Sequence, residues 1–189
     1  MKIKNAFPLL CMLGSIGWFL WSCDRLPTHS EIPEIHYKTL VIEDRMYPDL
    51  GLIRYAFLTF SFIDGDGDLG VRRQDENLPD DKKSRISYTW FQKNPDGTYK
   101  EYLFITDKDT ATMISSNIPY DQVMDKSEAQ NKTLKGTIEI AMDTPSIIPQ
   151  GVDTMRVEFF IVDRAMNKSN VEYTPDFSIL NPPTELKAK

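Results

Sequence analysis

IRYAFLTFSFIDGDGDLG, residues 53–70, carries two patterns in one run. Its first half alternates: Leu58, Phe60 and Phe62 fall on one face, Thr59 and Ser61 on the other. A period of two is that of a half-buried strand, not of a helix. Its second half sets Asp64, Asp66 and Asp68 at every second position, with Gly65 and Gly67 between them. The stretch therefore predicts a strand that ends in an acidic loop.

The same alternation recurs on both sides. Residues 35–43 read as a strand, and 85–93 (RISYTWFQK) and 98–105 (TYKEYLFI) flank Asn94-Pro95-Asp96-Gly97, a hairpin signal. In 137–142, Ile138, Ile140 and Met142 face inward if Glu139 faces water. Met155, Val157, Phe159 and Ile161 form the inward set of another strand, and 171–179 closes the series with Pro175 interrupting it. About seven strands with turn-rich joints and no long helix predict an all-β fold, an immunoglobulin-like β-sandwich. A small β-barrel is the alternative, because pattern does not show closure. Residues 106–136 are polar and fit neither, leaving a short helix or an irregular crossover.

The chain's 189 residues suit one domain, with 41% hydrophobic and 26% charged residues. Its balance of 22 basic against 28 acidic residues holds no basic block, which argues against nucleic acid as a partner. The N-terminus carries Lys2 and Lys4 and then an uncharged run from Ala6 to Trp21. Those 16 residues are shorter than the roughly 20 of a spanning helix and read as a secretory signal.

Leu20-Trp21-Ser22-Cys23 at its end resembles a lipobox, in which cleavage leaves a lipidated cysteine as the first residue. Trp21 departs from the small or β-branched residue usual there. The other cysteine, Cys11, would leave with the signal, so lipidation gives the unpaired Cys23 a purpose. An uncleaved anchor with an incidental thiol is the rival reading. The expected organisation is a signal peptide at 1–22, a lipidated tether at 23–34, a sandwich domain at 35–181 and a tail at 182–189. Losing Lys2 and Lys4 takes the net charge from −6 to −8.

The acidic loop poses a chemical choice. Calcium takes six to eight oxygen ligands at about 2.3–2.6 Å, largely carboxylates and carbonyls. Three alternate aspartates can converge on one ion if glycines let the backbone curl. With Asp64 as position one, Asp66, Asp68, Gly70 (through its carbonyl) and Asp75 fall at positions three, five, seven and twelve, the ligand rhythm of an EF-hand loop. Leu69 stands where that loop needs glycine, Asp75 is shorter than the usual glutamate, and a strand leads in. The loop is thus a D-x-D-x-D loop outside the EF-hand class. A solvated turn offset by Arg72 and Arg73 is the competing reading. In IVDRAMNKSN (161–170), Asp163 or Asn167 is placed to complete a shell, or Arg164 to pair with an aspartate; a plain polar cap is the alternative.

Together the lipobox, the strand running into FIDGDGDLG and the late DRAMNKSN hairpin resemble the uncharacterised lipoproteins of Bacteroidetes-type bacteria. The resemblance spans most of the chain and implies a calcium-binding, immunoglobulin-like exported domain, with no established activity. It implies an outer-membrane lipoprotein. DRLPT after Cys23 lacks an acidic export cluster, which favours the periplasmic face over the cell surface.

No catalytic constellation emerges. The histidines, His29 and His36, lie in or beside the tether, without a nucleophile or a zinc pattern around them. Tyr88, Trp90, Tyr99 and Tyr102 are candidates for stacking on a sugar, but Ile86, Tyr88 and Trp90 share one face, which favours core. The expected function is a membrane-anchored, calcium-stabilised binding or scaffolding module with a protein or glycan partner and no enzyme activity. The alternative is a carbohydrate-binding accessory of a nutrient-uptake system.

Overall fold

A computed structural model of the chain describes residues 29–49, 51–75, 77–105, 110–111, 113–117, 132–145 and 150–188. The signal at 1–22, Cys23 and the first part of the tether lie outside the described residues, as does most of the polar stretch 106–136. Among the described residues no helix is long and apolar enough to cross a membrane.

The strands are β1 (Glu34–Tyr47), β2 (Gly51–Asp64), β3 (Arg85–Lys93), β4 (Tyr99–Glu101), β5 (Phe104–Ile105), β6 (Thr110–Ala111), β7 (Met113–Asn117), β8 (Leu134–Asp143), β9 (Thr154–Val162), β10 (Glu172–Tyr173), β11 (Phe177–Ser178) and β12 (Glu185–Lys187). One sheet has the order β12-β1-β2-β8. The other runs β10-β9-β3-β4, with β11 on β9 and β7 on β3, and β5 pairs β6 separately. Every pairing is antiparallel. Both orders have free ends, so no barrel closes. Thus β1, β2, β8 and β12 share one sheet, and β3, β4, β7, β9, β10 and β11 share the other. Two antiparallel sheets packed face to face make a β-sandwich.

Why these residues form this sandwich is visible in the burial pattern. Along β2, Ala56, Leu58, Phe60 and Phe62 are buried while their neighbours are only partly covered. Along β9, Met155, Val157, Phe159 and Ile161 are buried in the same alternation, with Val162 buried after them. The two inward sets meet: the rings of Phe60 and Phe159 lie 5.3 Å apart between centroids. Such aromatic contact adds about 0.5–1.5 kcal/mol beyond the area buried. Ile86, Tyr88 and Trp90 of β3 complete the layer, and Trp90, fully buried, meets Phe177 edge-on at 6.0 Å.

Several boundaries differ from the expected ones: β1 runs on to Tyr47, β8 starts at Leu134, 171–179 splits into β10 and β11, and within 106–136, expected as a short helix or irregular crossover, β7 pairs with β3. The 98–105 strand breaks at Tyr102, whose amide donates to the Trp90 carbonyl while its ring turns into the core. Residues 185–187, expected in a tail, pair as β12 with Thr39, Leu40 and Val41 of β1, and the Tyr37 hydroxyl donates to the Leu186 carbonyl. The edge of β1 offered unpaired backbone groups, and the C-terminal segment satisfies them.

Registers fix the two ends of the sandwich. Glu34 lies opposite Ile63, Asp64 opposite Leu134, and Arg85 opposite Val162. The chain therefore enters the domain at the end where β2 and β9 finish. The turns at 48–49 and 94–98 lie at the far end.

Candidate metal centre

The inward face of β2 does not stop at Phe62. Its next inward position is Asp64, fully buried. The inward face of β9 likewise passes through Ile161 to Asp163, also fully buried. Two facing strands thus run out of apolar side chains at the same end, and each continues with a carboxylate. Asp66 and Asp68 join them from the loop: one carboxylate oxygen from each of Asp64, Asp66, Asp68 and Asp163 lies within 4.8 Å of all the others.

The loop is built around this convergence. Gly65 does not adopt the positive φ that the sequence suggests; it is needed for close approach, since a Cβ there would sit 2.2 Å from the Ser30 carbonyl oxygen. Gly67 and Gly70 do have positive φ, 69° and 96°, and make the curl. Leu69, the residue out of place for an EF-hand, is fully buried and plugs the end of the core. Its amide donates to Asp64 Oδ2 at 3.0 Å. The Ala165 amide donates to Asp68 Oδ2 at 2.9 Å, joining loop to hairpin. Asn167 donates to both oxygens of Asp163, from its backbone N at 2.7 Å and its Nδ2 at 2.9 Å. Met166, at φ 71°, carries the left-handed step of that hairpin.

These bonds leave a deficit. Oδ1 of Asp64, of Asp66 and of Asp68 are each buried without a hydrogen-bond partner. A buried unpaired carboxylate oxygen is costly, so such groups are paired, protonated or bound to a metal. Burial, with the closeness of Asp66 and Asp68, pushes the Asp64 carboxyl up to about 8. Burial, with the charges of Asp163 and Asp66, pushes Asp68 up to about 6, against the lowering effect of Arg164. Asp163 is raised by burial too. All three shifts are what carboxylates show when placed together without a cation between them.

Four of the six residues expected to hold metal are thus gathered. The other two are used differently. Asp75 sits in a 3-10 turn (Arg73–Asp75) and pairs with Arg72 at 3.3 Å, outside the group of four. The Gly70 carbonyl accepts from Arg164 Nη1 at 3.1 Å, and its amide donates to Ser84 Oγ at 2.9 Å, which in turn donates to the Val162 carbonyl. A twelve-residue count places Asp75 near an ion only when a helix follows; here the loop after Asp64 instead buries Leu69 and Val71.

The aromatic candidates lie elsewhere. Tyr88, Trp90 and Tyr102 are core residues. Tyr99 faces outward, with the Arg156 guanidinium 3.5 Å from its ring centroid and its hydroxyl on Asp176 at 2.8 Å. Among known proteins, the chain matches no protein-family model and no curated sequence.

Proposed function

We propose that the protein is an exported, lipid-anchored β-sandwich whose Asp64, Asp66, Asp68 and Asp163 site takes calcium as a structural ion, serving as a binding or scaffolding module of the cell envelope. The observation that carries the calcium reading is the gathering of four carboxylates at one end of the sandwich, three of which hold a buried, unpartnered oxygen. Ligands on opposite sides of a calcium ion lie about 4.6–5.2 Å apart, so oxygens all within 4.8 Å of one another fit its sphere. The donors are all oxygens, the chemistry of a hard cation. The anchor rests on Leu20-Trp21-Ser22-Cys23, and the role as a module rests on the all-β scaffold.

Calorimetric titration of residues 24–189, which retain every described strand, tests the reading. Calcium should bind one site per chain, and Asp66→Ala with Asp68→Ala should abolish the heat. A wild-type chain that binds no calcium at millimolar concentration overturns it.

A further inference from the structure

Three segments meet at the acidic end, and one of them is the chain's own entry into the domain. The Gly65 amide donates to the Ser30 carbonyl at 2.9 Å, and Gly65 directly follows Asp64. The His29 carbonyl is as close: a Cβ on Gly65 would fall 2.4 Å from it. A second attachment comes from the hairpin that carries Asp163. Asn170 Oδ1 accepts from the Ile35 amide at 2.8 Å, and Asn170 Nδ2 donates to the Ile35 carbonyl at 2.9 Å. The side-chain amide thus bonds Ile35 as a neighbouring strand would. Asn170 is itself held in place, since Ser169 bonds β9 twice, through its amide to the Ile161 carbonyl and its Oγ from the Ile161 amide. Pro33 and Ile35 are buried beneath these contacts.

We infer that cation binding at the carboxylate cluster and clamping of residues 29–35 are linked: the ion locks the entry segment onto the sandwich. This rests on the calcium reading above. The two attachments hang on different halves of the cluster, Gly65 on the loop half and Asn170 on the hairpin half. An ion shared by Asp64, Asp66, Asp68 and Asp163 fixes both halves relative to each other. Without it, the carboxylates of Asp66 and Asp68 on the loop half repel that of Asp163 on the hairpin half, the halves separate, and each half takes its own attachment with it. The bidentate Asn170–Ile35 contact and the Gly65–Ser30 bond need both halves in register to hold one extended segment at once.

The consequence concerns reach. If the chain is anchored at Cys23, a free leash of residues 24–34 spans about 35 Å at most. With 29–34 clamped, five residues remain, with a limit of about 17 Å. Calcium would therefore halve the distance the sandwich can stand from its anchor, and hold its acidic end toward the membrane. By linkage, loosening the clamp must weaken the ion by the same factor that the ion tightens the clamp.

Hydrogen exchange read by mass spectrometry on the full-length chain in detergent tests this, in EDTA and in saturating calcium, with calorimetry on the same samples. Calcium should slow exchange in a peptide covering 29–37 at least tenfold more than in one covering the far turn at 94–101. Asn170→Ala, which touches none of the four carboxylates, should speed that exchange and weaken calcium about tenfold. Gly65→Ala, whose Cβ displaces Ser30, should do the same. Calcium binding with unchanged exchange at 29–37 overturns the inference and leaves the metal site standing. No calcium heat at all refutes the metal reading, and the linkage with it.

Discussion

Replacing Asp64 by Asn should have opposite effects in the presence and absence of calcium. The Asp64 carboxyl, pushed from an ordinary value near 3.8 up to about 8, is a group that the folded, metal-free protein holds at a cost. At pH 7 that displacement corresponds to on the order of 4 kcal/mol, at 1.36 kcal/mol per pH unit between the unfolded value and the working pH. Asn keeps the shape and an oxygen for the Leu69 amide, and its Nδ2 can donate to the unpartnered Oδ1 of Asp66 or Asp68. In EDTA, Asp64→Asn should therefore melt higher than the wild type. At about 2–4 °C per kcal/mol for a chain of this size, the rise is roughly 10 °C. Calcium should reverse the ranking. The wild type gains about 2.7 kcal/mol at a hundred times the dissociation constant, while the variant, lacking one of the two fully buried ligands, binds at least tenfold more weakly. Thermal melts of both proteins, each in EDTA and across a calcium series, provide the check. A variant that is less stable in EDTA and equally responsive to calcium would refute the reasoning, because Asp64 would then be an ordinary hydrogen-bonded aspartate.

Further expectations follow from the same geometry. The folded values of Asp64 and Asp68 are raised, so their stabilising, protonated forms are complete below about pH 4 and are lost as pH rises through about 6 and then 8. Melts in EDTA should show this cluster's contribution falling between pH 4 and pH 8, while the gain on adding calcium grows over that range; a flat difference refutes it. Asp75→Ala should leave calcium affinity within twofold, since Asp75 pairs with Arg72 outside the cluster, and a tenfold loss by calorimetry would restore it as a ligand. Leu69→Ala removes a fully buried side chain and should cost about 2–5 kcal/mol in urea unfolding, a size that a solvated loop residue would not give. Trp90 is the sole tryptophan after Ser22 and is fully buried, so emission from residues 24–189 should be blue-shifted and resist acrylamide quenching until the protein unfolds.

The alternation in IRYAFLTFSFID was enough to establish strands, because a period of two leaves each strand one apolar face to bury, while the choice of sandwich over barrel came from the free ends of both sheets. The same parity already placed Asp64 inward with Phe60 and Phe62, and Asp163 inward with Phe159 and Ile161. Read as a ligand count along the loop, that signal is hidden. Read as strand parity, it gives both buried carboxylates. What sequence left open is whether Asp163, Asn167 or Arg164 of the 161–170 hairpin meets the acidic loop. Asp163 is 99 positions from Asp64, and only the packing of β2 against β9, centred on Phe60 and Phe159, brings them together. Asp75, eleven positions from Asp64, is nearer in sequence yet turns away, because Leu69 is drawn into the core and the chain leaves the cluster there. The attachment of His29 and Ser30 to Gly65, and of Ile35 to Asn170, is equally a product of tertiary structure. Local pattern records which face of a strand is apolar; it holds no record of which distant backbone groups that strand must satisfy once the two sheets close on each other.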